Sequence, residues 1–114
     1  MSNELDELID QVNTFRDERE WRQFHTPKDL ALSISVESAE LLELFQWRSD
    51  QEVVDTRMAG LREEIADVLI YTLMLTDDLG LDPAQIIREK LEINARKYPV
   101  DRAKGSSAKY SDLN

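Results

Sequence analysis

The chain has no cysteine and a single histidine, His25. The first absence excludes thiolate zinc sites, iron–sulfur ligation and a disulfide framework, and it fits a reducing compartment. The second excludes the paired Glu-x-x-His motifs of a di-iron carboxylate bundle. It also leaves little room for Ser-His-Asp or Cys-His catalysis. No apolar run approaches the ~20 residues that a membrane span needs. The opening MSNELDELIDQ is acidic, unlike a signal peptide. These absences predict a soluble, cytoplasmic protein with no membrane partner.

Strand patterning is also missing. No segment shows convincing period-2 alternation, so the expected fold class is all-α. With 114 residues and 41% hydrophobic content, the chain is the size of one ordinary domain with a real core. Its net charge of −10 opposes binding of duplex nucleic acid through a general field. That charge serves solubility, or some of the carboxylates gather around a cation.

Helical spacing predicts four main helices. The first carries Leu5, Leu8, Ile9, Val12 and Phe15, with Ser2 or Asn3 as cap, and its pattern extends toward Trp21 and Phe24. Thr26-Pro27 is a cap-then-proline start for the second, which runs to about Trp47. Ser49 and Asp50 mark a new cap. The third helix starts near Gln51, with a break at Gly60, and Gly80 stops it. It is the most apolar of the four and reads as central and buried. Asp82-Pro83 starts the fourth, which Pro99 ends. Residues 1–98 are then a helical domain and 99–114 a tail. Ile86 and Ile93 lie opposite the stripe of Ala84, Ile87 and Leu91. A second apolar surface of this kind predicts association of chains.

The chemistry lies in four acids. In VESAELLELFQW, Glu37 falls inside the apolar stripe of Leu30, Ile34, Leu41, Leu44 and Phe45, and Glu40 sits on its edge. In LREEIADVLIY, Glu64, Asp67 and Tyr71 share one helix face at the margin of the most apolar run. A single ExxE in so charged a chain is most often a solvated face. Two such pairs, both intruding on apolar faces of consecutive helices, point instead to a shared site. Like charges at ~4 Å repel by about 4 kcal/mol at an effective dielectric of ~20. A cluster of them either protonates or binds a cation. An all-oxygen donor set favours Mg2+, with Mn2+ or Ca2+ as the other candidates.

Several aromatic and polar residues could complete a pocket. Trp21 and His25 lie in WRQFH, Trp47 ends the second helix, Tyr71 shares the carboxylate face, and Asn94 sits near the end of the fourth helix. Aromatics stack on a nucleobase and an amide reads its edge. Taken singly, each aromatic is more often core. From Arg88 to Lys109, seven basic residues face three acids. AKGSSAKY combines Lys104 and Lys109 with small residues that let backbone amides approach phosphate. It is no P-loop.

Taken together, WRQFHTPKDL, VESAELLELFQW, LREEIADVLIY, KLEINARKYP and AKGSSAKY resemble the MazG-like all-α nucleoside triphosphate pyrophosphohydrolases, in particular the deoxycytidine-triphosphate pyrophosphatase branch. The resemblance runs from about Phe15 to Tyr110 and includes the ExxE…ExxD order, with 23 residues between Glu40 and Glu64. Many members carry a glutamate just before the first ExxE; Val36 stands there instead, as in the compact branch. The resemblance implies a MazG-like bundle completed by oligomerisation to a homodimer or homotetramer. It implies Mg2+-dependent cleavage of a nucleoside triphosphate, dCTP or a modified dCTP, to monophosphate and pyrophosphate, as nucleotide-pool house-cleaning. Carried over, Glu37, Glu40, Glu64 and Asp67 would hold the metal, with Glu40 and Glu64 as catalytic candidates. His25, Trp47, Asn94, Trp21 and Tyr71 would surround the base. Lys97, Lys104 and Lys109 would take the phosphates.

Two other readings compete. A non-catalytic helical oligomerisation or nucleotide-sensing module would bind nucleotide without turnover. An acidic mimic of nucleic acid needs a continuous anionic surface, which the apolar settings of Glu37 and Asp67 oppose.

Overall fold

A computed structural model describes residues 3–113. Helices account for its regular structure, and no strand occurs among the described residues. The chain forms two units, Met1–Gly80 and Leu81–Asn114.

In the first unit, α1 spans Glu4–Glu18, α2 Pro27–Glu43, α3 Asp50–Thr56 and α4 Met58–Asp78. Asn3 caps α1: its side chain accepts from the amide of Asp6 at 2.9 Å, and the Asp6 side chain answers the Asn3 amide. The alternative cap, Ser2, lies outside the described residues. Thr26 accepts from the Asp29 amide, with Pro27 in the first turn of α2. Ser49 caps α3 through the Glu52 amide. α4 is the common partner: α1, α2 and α3 all pack on it. Ile9, Leu30, Val53, Leu61 and Met74 form the buried apolar core.

Three boundaries depart from the sequence expectation. α1 does not run on to Trp21. Glu20 takes a left-handed conformation (φ 53°), and the Trp21 amide donates back to the Arg16 carbonyl at 2.9 Å. This is a Schellman closure with a glutamate where glycine is usual. A 3-10 turn, Arg22–Phe24, follows. α2 ends at Glu43 rather than Trp47; single turns carry the chain on to Trp47, itself left-handed at φ 63°. The third helix breaks at Arg57, not Gly60. The Arg57 amide closes α3 on Val53, and α4 restarts at Met58. Gly60 lies inside α4, where a Cβ would come 3.3 Å from a Leu44 methyl. That glycine lets the end of α2 approach α4.

α4 is buried on one side only. Ile65 and Leu69 on its other side are 47% and 58% exposed, so its all-round apolarity leaves a face that the other helices of this unit do not cover.

In the second unit, α5 spans Pro83–Lys97 behind the Asp82 cap, and α6 is one turn, Val100–Ala103. The segment expected as an irregular tail thus contains a helical turn and a 3-10 turn, Tyr110–Asp112. Tyr110 packs edge-on to Tyr98 at 6.1 Å between centroids, and Lys97 Nζ lies 4.7 Å from the Tyr110 ring centre.

Candidate active site

α2 carries Glu37 and Glu40 one turn apart, and α4 carries Glu64 and Asp67 in the same way. Packing of α2 on α4 turns the two ExxE-type faces toward each other. One oxygen from each of Glu37, Glu40 and Glu64 lies within 4.8 Å of the other two. Asp67 is outside that trio, yet close enough for its charge to act on Glu37 and Glu64.

The electrostatics follow from crowding. Burial first, then Glu40 alongside, then the charge of Asp67 push the Glu37 carboxyl up to about 7. Burial and Glu40 likewise raise that of Glu64. Neither Glu37 Oε2 nor Glu64 Oε2 has a hydrogen-bond partner, although both atoms are buried. Two orphaned carboxylate oxygens at a point where acids converge are costly without a counter-charge. Their donor chemistry, oxygen only, suits a hard divalent cation.

A cavity of about 510 Å³ opens beside this cluster, lined by Leu8, Gln11, Val12 and Phe15 from α1, by Trp21, and by Asp67, Ile70, Tyr71 and Met74 from α4. Asp67 therefore borders the cavity and influences the acid cluster. Tyr71 does both as well. Burial first, then the charges of Glu37, Asp67 and Glu40, raise its hydroxyl. Phe15 and Trp21 meet edge to face, 5.6 Å between centroids, and form an aromatic wall.

Comparison with known proteins places the chain in a group. A family model, described as the MazG-like family, matches residues 32–113. The chain belongs to the MazG-like family. Over 104 residues it is 42% identical to dCTP pyrophosphatase 1 of Mus musculus and 41% identical to that of Homo sapiens, covering 87% of this chain in each case. The chain spans about 61% of the length of these curated relatives. A solved pyrophosphatase from Archaeoglobus fulgidus shares 50% identity with a TM-score of 0.81, over 87% of this chain and 95% of that one.

Within the first unit of this MazG-like chain the expected base-site residues divide between separate places. Trp21 and Tyr71 share the cavity. Trp47 does not line it; 94% exposed, it borders a separate hollow of about 370 Å³ with Glu43, Gln46, Arg48 and Glu52. His25 is half-buried, with Nδ1 3.5 Å from Arg16 Nη1. Burial first, then the Arg16 charge, lower its pKa. Asn94, Lys97, Lys104 and Lys109 belong to the second unit.

Sequence reasoning missed Arg16. It is fully buried and grips Asp78 with both terminal nitrogens, at 2.9 and 2.5 Å. Its Nε donates to Asn13, whose amide donates to Asp77 at 2.9 Å. A signal was present: Asp77 and Asp78 end α4, where the helix dipole disfavours acids and α4 offers no base in its last turn. The cavity residues Gln11 and Val12 carried no such signal.

Proposed function

We propose that this protein is a Mg2+-dependent nucleoside triphosphate pyrophosphohydrolase that cleaves between the α and β phosphates. The observation that carries the reading is two buried, partnerless glutamate oxygens beside an aromatic-walled cavity, with Asp67 common to both. Glu37, Glu40, Glu64 and Asp67 fit a metal of the Mg2+ class, with Mn2+ as a substitute. When bound, that ion neutralises phosphate oxygens and lowers the pKa of a water for attack.

The chain's own residues supply the rest. We assign to Glu40 or Glu64, where not fully engaged by the cation, the acceptance of a proton from water. Trp21 and Tyr71 offer stacking surfaces for a base. We assign cytosine, plain or modified, because the curated relatives are named for dCTP. Roles for His25, Trp47 and Asn94 at the base, and for Lys97, Lys104 and Lys109 at the phosphates, rest on the family resemblance. The division into a helical domain (1–98) and a tail (99–114) rests on helical periodicity and Pro99, and the tail's part in binding phosphate on the resemblance. The exposed Trp47, Leu42 and Leu69 support a homodimer or homotetramer. A cytoplasmic location is part of this reading; the absence of cysteine is its support.

The test is pyrophosphate release from a panel of nucleoside triphosphates, with Mg2+ and with EDTA. Metal-dependent release favouring dCTP or a 5-substituted dCTP is the expected result. Nucleotide and metal binding without release would overturn the enzyme reading in favour of a sensing module.

A further inference from the structure

We propose that Arg16 is a positioning residue that fixes the Trp21 wall of the cavity, and through it the affinity for the base. The proposal rests on the reading of that cavity as the nucleobase site.

Trp21 lies just beyond the end of α1, at the N-cap of the Arg22–Phe24 turn, where its side chain makes no capping hydrogen bond. Its own contacts do not lock it: the residue is 40% exposed and its ring meets Phe15 by an edge. What holds it is the last turn of α1. The Trp21 amide donates to the Arg16 carbonyl, so the place of Trp21 follows the place of Arg16. The Arg16 side chain, in turn, is clamped to the far end of α4. It makes the paired bond to Asp78, and Arg22 of the same turn reaches Asp78 at 3.5 Å and Asp17 at 2.5 Å. The opposite wall of the cavity, Asp67, Tyr71 and Met74, belongs to α4. One buried guanidinium thus ties the two walls together.

The alternative, a purely scaffolding ion pair, fits the arrangement less well. Buried ion pairs are commonly replaceable by apolar packing without loss of stability. Here the pair is fully dry on the arginine side, geometrically specific, and linked by a backbone hydrogen bond to an aromatic facing the cavity. Bidentate geometry also makes lysine an imperfect substitute.

The test compares wild type with Arg16→Met, Arg16→Lys and Asp78→Asn in the full chain, each checked for helical content by circular dichroism. The nucleotide is the best substrate from the pyrophosphate panel. For Arg16→Met, KM should rise about tenfold, as for loss of a stacking contact, with kcat within about threefold. Arg16→Lys should recover part of the affinity. In a Trp47→Phe background, Arg16→Met should shift Trp21 emission to the red and increase its quenching by acrylamide. A folded Arg16→Met with unchanged KM, or with loss in kcat alone, overturns the proposal. So does unchanged Trp21 emission. If Arg16→Met does not fold, the same two readouts on Asp78→Asn decide. Were the wild type inactive on every nucleotide, the cavity reading would fail by itself, while the emission data would still report whether Arg16 holds Trp21.

Discussion

At the scale of the residue, Glu37 explains itself by its surroundings. Its position in an apolar stripe is tolerable if the neutral form prevails or a cation offsets the charge. With the folded-state carboxyl near 7 against an ordinary value of 4.5, the folded state binds the extra proton. Stability contributed by this group therefore falls as pH rises from about 4.5 to about 7. Thermal scans of the metal-free protein should show a falling Tm across that window, and Glu37→Gln should flatten the fall. With Mg2+ present above pH 7, the wild-type Tm should recover, and EDTA should reverse the gain. The same Glu37→Gln should lower kcat/KM for the triphosphate by about 100-fold or more, since metal chemistry supplies several kcal/mol. Steady-state pyrophosphate assays on the folded variant measure that loss.

At the scale of the element, helix ends decide where side chains go. Gly80 closes α4 at φ 71°, with open space around a Cβ placed there. Glu20 closes α1 in the same left-handed region without glycine's freedom. Gly80→Ala should therefore cost about 1 kcal/mol from backbone strain alone. Glu20→Gly should be neutral or stabilising by up to about 1 kcal/mol. Urea unfolding of the two variants gives both numbers, and a cost at Gly80 without a cost at Glu20 tests the conformational argument. The contrast also accounts for the boundary error at Trp21: a glutamate at a left-handed cap gives no stop signal in sequence.

At the scale of the whole molecule, the helices of the first unit leave much of one another's apolar surface uncovered. Leu42 is 70% exposed, and Ile65 and Leu69 form an open face of α4. A single chain of 13.2 kDa should thus associate in solution. Light scattering should return a multiple of that mass, and Leu69→Glu should move it toward the monomer. Retention of the full assembly by a folded Leu69→Glu would remove this α4 face from the interface.

What the sequence determined by itself was local and periodic. Helical spacing, Thr26-Pro27, Ser49, Gly80 and Asp82-Pro83 set the all-α class and the main helix limits, because caps and stripes act within a few residues. The pairing of Glu37-x-x-Glu40 with Glu64-x-x-Asp67 was also legible, since charges inside apolar stripes require compensation. Only the tertiary structure decided which oxygens meet, that Asp67 and Tyr71 border a cavity beside them, and that Trp47 faces elsewhere. It alone joined Arg16 to Asp78. Those partners are 62 residues apart, and no periodicity on one helix reports which side chain on another will supply its counter-charge.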